Sequence, residues 1–399
     1  MHPLLESIQI QNLETATEMK DAIEQRGLLV KYDSEYNKLV VKYPDNLRYS
    51  SDIAIRKSRG IIIDTETKSV VCPSFEGAVS FDEFKRVVPW SDVVIERSYD
   101  GTMYNVYNDN GVWRLATKFH LRPENNHYRS EKSFFELFNN AVSFELLCES
   151  LDPECSYVFL LCHPENRNVT PYSVPELYHI ETSHVKTGER IFTRVTVETK
   201  SIPTCDVLQY CGRVIKMANS KPIASYDEVS DYVSRMHWSQ RGVMLYSKDR
   251  QYRCHIVNPR FENVRAYVGG NSSFEFICLK KIKNEIDDDQ WSQMINYYPE
   301  LDGSMVRTLG GYNGFVKVIH ELYVRMRIRH ETVEVPKEWR ILLYSIHTDY
   351  LNNRHGVLNE GGMILPNPSF AITVEFIAQK LLSYDTKLIY SWIKSFFAK

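Results

Sequence analysis

Long apolar runs are missing from this 399-residue chain: nothing approaches the roughly 18 to 20 consecutive residues needed to cross a bilayer as a helix, which argues against a helical membrane protein. The opening residues, MHPLLESIQIQ, lack the basic-then-apolar layout of a secretory leader, so a cytoplasmic location is expected. Eight cysteines, at 72, 148, 155, 162, 205, 211, 254 and 278, form no Cys-x-x-Cys pair. Neither a zinc site nor a disulfide framework is signalled, and reduced, mostly buried thiols are expected. A large excess of charge of either sign is also missing. A net charge of −3 gives no global attraction to polyanions, so affinity for nucleic acid has to come from a local basic surface. There is no Gly-x-Ser-x-Gly, no glycine-rich phosphate loop, no metal-ligand spacing among the histidines, no internal repeat and no low-complexity tract. These absences lead us to expect no cofactor and no metal.

What is present reads as an ordinary globular protein, 43% hydrophobic and 25% charged, long enough for two or three domains. The most legible stretch is residues 93–110, VVIERSYDGTMYNVYNDN, in which one apolar strand runs into Asp100-Gly101 and a second follows at once. Asp-Gly is a common turn dipeptide, and Asp100 is expected to fix that hairpin by accepting backbone hydrogen bonds. Asn110-Gly111 predicts a second tight hairpin, joining 102–107 to 112–118. Upstream, residues 13–26 place Leu13, Ala16, Met19, Ala22 and Ile23 on one helical face, and 28–31, 38–43, 57–64 and 70–73 read as paired strands. Downstream the pattern predicts a helix over 131–151, strands at 157–162, 178–181, 190–197, 242–246 and 252–257, and a helix over 226–237. Composition changes at Gly269-Gly270-Asn271-Ser272-Ser273; beyond it, helices are expected over 287–297, 313–330, 336–352 and 371–398. The expected architecture is an α+β body with antiparallel sheets over 1–270 and an all-helical domain over 271–399.

In this order the segments resemble the phage-type RNA ligases, a branch of the covalent nucleotidyltransferases, over most of residues 30–260. Ser58-Arg59-Gly60-Ile61 resembles the family's Arg-Gly strand, and Trp113-Arg114-Leu115-Ala116-Thr117-Lys118 its Ala-Thr-Lys strand. The run 157–169, YVFLLCHPENRNV, is similar to Phe-Glu-Leu followed by Pro-x-Asn-Arg-Ile-Val; Arg241-Gly242-Val243-Met244-Leu245 stands where Glu-Gly-Val-Val is expected, and His255-Ile256-Val257 where Lys-x-Lys is expected. The resemblance implies the fold of an RNA-ligase adenylation domain followed by a helical C-terminal domain. It also implies a vestigial nucleotide pocket of Arg59, Asp100, Gly101, Lys118, Asn166, Arg167 and Gly242.

The same resemblance exposes losses. The family's nucleophile is the lysine of Lys-x-Asp-Gly, which forms a phosphoramidate with AMP; Ser98 stands there and cannot form that bond. The glutamates that position ribose and metal read Leu160 and Arg241, the lysine pair reads His255 and Val257, and a lysine expected upstream falls at about Gly77. The expectation is a catalytically inactive member used for binding or as a structural part, with a protein partner or a second copy of itself, or RNA, as its ligand and no membrane contact. Two alternatives stay open: an active transferase with Lys118 as a relocated nucleophile, and an RNA-binding module using Arg325, Arg327 and Arg329 of the run 325–330 with Lys280, Lys281 and Lys283 nearby. Ligases of this kind occur in large DNA viruses and phages, so the resemblance also implies a viral origin, with the virion or a viral factory as a location.

Overall fold

The structure is a computed structural model that describes residues 2–215, 222–269, 273–359 and 362–397. The chain divides into two compact units, Met1–Ala266 and Tyr267–Lys399; part of the glycine-rich stretch read as a boundary, residues 270–272, lies outside the described residues. The first unit is built on three antiparallel sheets. Leu29–Asp33, Lys38–Lys42, Arg59–Asp64 and Ser69–Cys72 pair in chain order. The middle of each central strand, Leu39-Val40-Val41 and Ile61-Ile62-Ile63, is apolar without alternation because both faces are covered: Leu39, Val41, Ile61 and Ile63 meet Leu4, Met19 and Ile23 of the flanking helices, whereas Val40, Ile62 and Cys72 meet Tyr107 and Ala116 of the next sheet.

That next sheet orders Arg190–Ile191, Glu176–His184, Cys155–Cys162, Thr102–Asp109 and Val112–Thr117. The predicted tight hairpin closes it, with Asp109 paired to Val112 and positive φ at Asn110 (53°) and Gly111 (90°). Its far face, Tyr104, Val106, Tyr157, Phe159 and Leu161, packs on Leu137, Phe138 and Leu147. The expected helix over 131–151 is two helices, Phe134–Ala141 and Phe144–Glu149. Val142 is extended, and Ser143 captures the Leu146 N–H to start the second helix, a local bond that apolar periodicity does not register. The third sheet orders Arg213–Val214, Val207–Tyr210, Val93–Ser98, Gly242–Ser247 and Arg253–Val257. One of its faces buries Val93, Ile95, Val243, Leu245 and Cys254 against Phe84, Val229 and Val233. The expected strand over 190–197 is reduced to Arg190–Ile191 and Thr196–Val197.

The second unit packs Phe315, Ile319, Trp339, Leu342, Ile377 and Trp392 into one core. It is not all-helical, since Val357–Asn359 and Gly362–Ile364 form a hairpin. The helix expected to begin at 313 begins at Glu300, and the one expected over 371–398 is Val374–Leu382 and Thr386–Phe397, divided where the Asp385 side chain takes the Lys387 N–H. No helix of the described residues is long and apolar enough to cross a membrane. All eight cysteines are free thiols, with 72, 155, 162, 254 and 278 buried.

Candidate functional site

The third sheet places the resembling positions together by strand alternation. With Val93 and Ile95 turned into its core, Glu96 and Ser98 take the opposite face; with Cys254 in that core, Arg253 and His255 take the opposite face two strands away. Ser98 Oγ lies 3.0 Å from His255 Nε2, and His255 Nδ1 lies 3.3 Å from a terminal guanidinium nitrogen of Arg48. A guanidinium only donates, so Nδ1 is the acceptor and the ring proton sits on Nε2. His255 therefore donates to Ser98 and has no lone pair with which to take its proton. Burial, then the positive charges of Arg241, Arg48 and Arg59, hold the ring well below its ordinary pKa and keep it neutral. A serine beside a histidine would ordinarily suggest a nucleophile and its base; here the tautomer forbids it.

Around this pair the fold gathers cations: Arg59, Lys118 and Arg241, which the motifs pointed to, and Arg48 and Arg253, which no linear motif announced. Arg59 and Arg253 both lie against the Phe75 ring, at 4.4 and 3.9 Å from its centre, and Lys118 lies 5.3 Å from the Tyr43 ring centre. The backbone of Gly60 approaches Lys118 so closely that a Cβ there would sit 2.8 Å from the Lys118 carbonyl oxygen. Arg241 reaches the Tyr99 carbonyl at 3.2 Å. The lysine pair expected at 255 and 257 is replaced by His255 and Val257, and the tertiary structure brings positive charge back through Arg48, Arg241 and Arg253.

Lys118 records this field. Burial, followed by Arg59, Lys42 and Arg48, lowers its amine from 10.5 to about 7, with Asp45 opposing. An amine depressed in the folded state destabilises the fold by an amount fully present below about pH 7 and relieved as pH rises through about 7 toward 10.5, because the unfolded chain then binds more protons. Lys118→Met is accordingly expected to exceed the parent in stability by ~1–2 kcal/mol at neutral pH, with the gap closing near pH 10. Urea unfolding at both pH values checks this, and a gap that does not close counts against the placement of Lys118 among cations.

Asp100 belongs to a different cluster. Its carboxylate accepts the backbone N–H groups of Val169 and Thr170 at 2.9 and 3.0 Å and the Asn168 amide at 3.3 Å, while its own N–H donates to the Tyr172 hydroxyl. It therefore fixes the 168–172 loop, a segment some seventy residues away, rather than its own hairpin. Asn166 donates to Thr102 Oγ1 at 2.6 Å, and Arg167 folds back onto the Val169 carbonyl at 2.9 Å. Gly101 and Gly242 are close-approach positions: a Cβ would meet Leu161 O at 2.4 Å and Ile256 O at 2.2 Å, and Gly242 has φ +133°. Leu160 sits mid-strand opposite Met103, and Val257 pairs with Gly242. In the helical unit the basic run occupies a π-helix, Val324–Ile328. Arg325 pairs with Glu331 at 2.5 Å and Arg329 with Glu321 at 3.4 Å, whereas Arg327 lines a hollow of about 370 Å³ with Tyr323, Met326 and Arg340. Lys281 and Lys283 pair with Asp288 and Glu285.

No family model matches the chain. It is 22% identical over 266 residues to a protein described as a bifunctional polynucleotide kinase/RNA ligase of Autographa californica nuclear polyhedrosis virus, covering 62% of this chain and 36% of that one. The chain thus spans about a third of the length of that relative. Among solved structures it is similar to an archaeal ATP-dependent RNA ligase in two forms. One has TM-score 0.44 and 13% identity, covering 78% of this chain and 82% of the other; the second has TM-score 0.42 and 10% identity, covering 77% and 82%. A protein described as an ATP-dependent DNA ligase of Aquifex aeolicus gives TM-score 0.36 and 10% identity over 88% and 93%.

Proposed function

We propose that this chain, a relative of the RNA-ligase-like nucleotidyltransferases, carries out no covalent nucleotidyl transfer and serves as a binding protein on a ligase-type scaffold. One observation carries the reading: at the position where the resemblance puts the attacking amine, a serine hydroxyl accepts a hydrogen bond from a neutral histidine whose other nitrogen is taken by Arg48. A serine hydroxyl with no acceptor for its proton is a poor nucleophile at neutral pH.

The divalent cation implied by the fold family does not fit these residues either. Its acidic positions read Leu160 and Arg241, and a guanidinium repels a divalent ion. The carboxylates nearby are engaged: Glu96 with Arg250, Glu181 with Arg190 at 2.8 Å, Asp206 with the Tyr99 hydroxyl at 3.0 Å, and Asp100 with its loop. Among the described residues no three His, Cys, Asp or Glu side chains converge as a metal site.

Incubation of the purified chain with magnesium or manganese and α-labelled ATP or GTP is expected to leave no label on the protein after denaturation. A stable label overturns the reading. One feature favours a second reading, an active transferase: the Lys118 amine, lowered to about 7, is deprotonated in part at neutral pH and so available as a nucleophile. A label abolished by Lys118→Arg establishes that alternative.

A further inference from the structure

We infer that the hollow beside the π-helix of the second unit docks an acidic amphipathic helix of a partner protein, with a bulky apolar side chain seated in the hollow and carboxylates on its arginine rim. This goes beyond the proposed function, because the hollow belongs to the second unit and its role holds whether or not the first unit transfers nucleotides.

The hollow arises where a buried helix face runs out of the core. On Glu300–Tyr323 that face is Tyr312, Phe315, Ile319 and Tyr323, and its next positions are Met326 and Arg327. There the backbone leaves the α register: Val324–Ile328 is a π-helix, with the Arg329 N–H bonded to the Val324 carbonyl at 2.9 Å. Such turns are rare in natural helices and occur frequently at functional sites. This one borders a cavity of about 370 Å³ floored by Met326, Val333, Val335 and Leu343. Ligand pockets of roughly 300–1,000 Å³ are ordinary, so the space is enough for a large side chain. An aliphatic floor suits an apolar group, and the flexible thioether of Met326 adapts to its shape. Hydrogen-bonding groups that a nucleobase would need are few here, since the Tyr323 hydroxyl is already engaged with His347 Nδ1 at 3.2 Å.

Charge identifies the rest of the occupant. Arg327 and Arg340 stand at the hollow without a carboxylate partner among the described residues, whereas Arg325 and Arg329 are paired with Glu331 and Glu321. The Arg340 Nε donates to the Val335 carbonyl at 3.2 Å, which holds the side chain and leaves its terminal nitrogens open. Glu334 is the one acid on the lining. Lys337–His355 continues the surface: Arg340, Tyr344, His347, Leu351 and Arg354 share one face of that helix, over about 21 Å. Tyr344 and Leu351 are 71% and 42% exposed, and Ile328, next to Arg327, is 61% exposed. Exposed apolar anchors set between unpaired arginines are the complement of a helix with one apolar stripe and acids beside it.

A random 16-residue peptide library displayed on phage is to be selected on the full chain, and the leading peptide synthesised with a fluorescent label for anisotropy. The selected sequences are expected to be rich in Asp and Glu around one or two of Trp, Phe and Leu. Arg327→Glu, Arg340→Glu and Tyr344→Ser are each expected to weaken the peptide about tenfold, and Arg307→Glu, an exposed change about 30 Å away along the same run of helix, to leave it unchanged. All four side chains lie at the surface, so melting temperatures are expected to stay within about 2 °C of the parent's. A version of the peptide with lysine for each acid is expected to prefer the Arg327→Glu, Arg340→Glu double variant over the parent, a reversal that a merely structural arginine does not give. Failure to select peptides, selected peptides without acidic residues, or affinity indifferent to Arg327→Glu and Arg340→Glu overturns the inference. A single-stranded oligoribonucleotide that binds the parent, is weakened by the same two substitutions and displaces the peptide overturns it in favour of nucleic acid. None of these measurements depends on label transfer, so they and the test of catalysis fail separately.

Discussion

In urea at neutral pH, Lys38→Met lowers the stability of the N-terminal unit by about 3–5 kcal/mol, the cost of breaking a buried ion network at one partner. Lys38 and Asp64 are each 4% exposed and Asp109 is 8% exposed. The Lys38 ammonium lies 2.8 Å from Asp64, its cross-strand neighbour, and 3.3 Å from Asp109, which comes from the adjoining sheet. One cation thus ties two sheets together. Removing it strands Asp64, whereas Asp109 keeps Arg114 at 2.9 Å. Burial by itself would raise the Asp64 pKa; the Lys38 ammonium and the N–H groups of Thr67 and Glu66 outweigh it and hold the group below its ordinary value. The contribution of this group is present above pH 3.8, its unfolded value, and is lost as pH falls through the lower folded one. Without Lys38 the carboxyl titrates higher in the folded state, so the deficit of the variant narrows as pH is lowered from 7 toward about 4. Adding Asp64→Asn, which removes the charge and keeps an oxygen for the Glu66 and Thr67 N–H groups, is expected to recover more than half of the loss. A single variant within about 1 kcal/mol of the parent would mean that Lys38 does not join the two sheets as described.

Asp100→Ala is expected to cost about 2–4 kcal/mol, because it leaves two backbone N–H groups of a buried loop without their acceptor. The same oxygen, Oδ2, serves both Val169 and Thr170, and Val169 is fully buried. Asp100→Asn preserves an oxygen at that place and loses only the charge, so its cost is expected near 1 kcal/mol. For a unit of this size each kcal/mol moves the melting temperature by roughly 2–4 °C, which thermal unfolding followed by circular dichroism resolves. A side chain retained for chemistry, with no anchoring duty, would leave the Ala and Asn variants equally stable. That equality would overturn the anchoring role of Asp100.

Turn chemistry and alternation are local, and the parts of the fold that depend on them were legible. Asn110-Gly111 forms the hairpin its residues demand, and Thr15 with Glu18 forms a capping box at the start of the helix read from residues 13–26. Apolar spacing remains in phase through Val142 and through residues 383–385, so single helices were expected where short polar side chains divide the run in two. In the candidate site, Ser98, His255 and Lys118 could be singled out by the order of the motifs. Arg48 and Arg253 could not. Arg48 meets His255 across 207 residues of sequence, and no spacing rule connects positions so far apart. A signal existed only in hindsight: Arg253 alternates with His255 on one strand.

The residue at position 98 was decided by the sequence alone: an amine that is not encoded cannot be supplied by folding, because nucleophilicity belongs to the side chain itself. What surrounds that position was decided by tertiary structure, since an electric field is a sum over groups from every strand that reaches the site. The same folding step chose the tautomer of His255 and turned a list of unremarkable arginines into a concentrated positive charge.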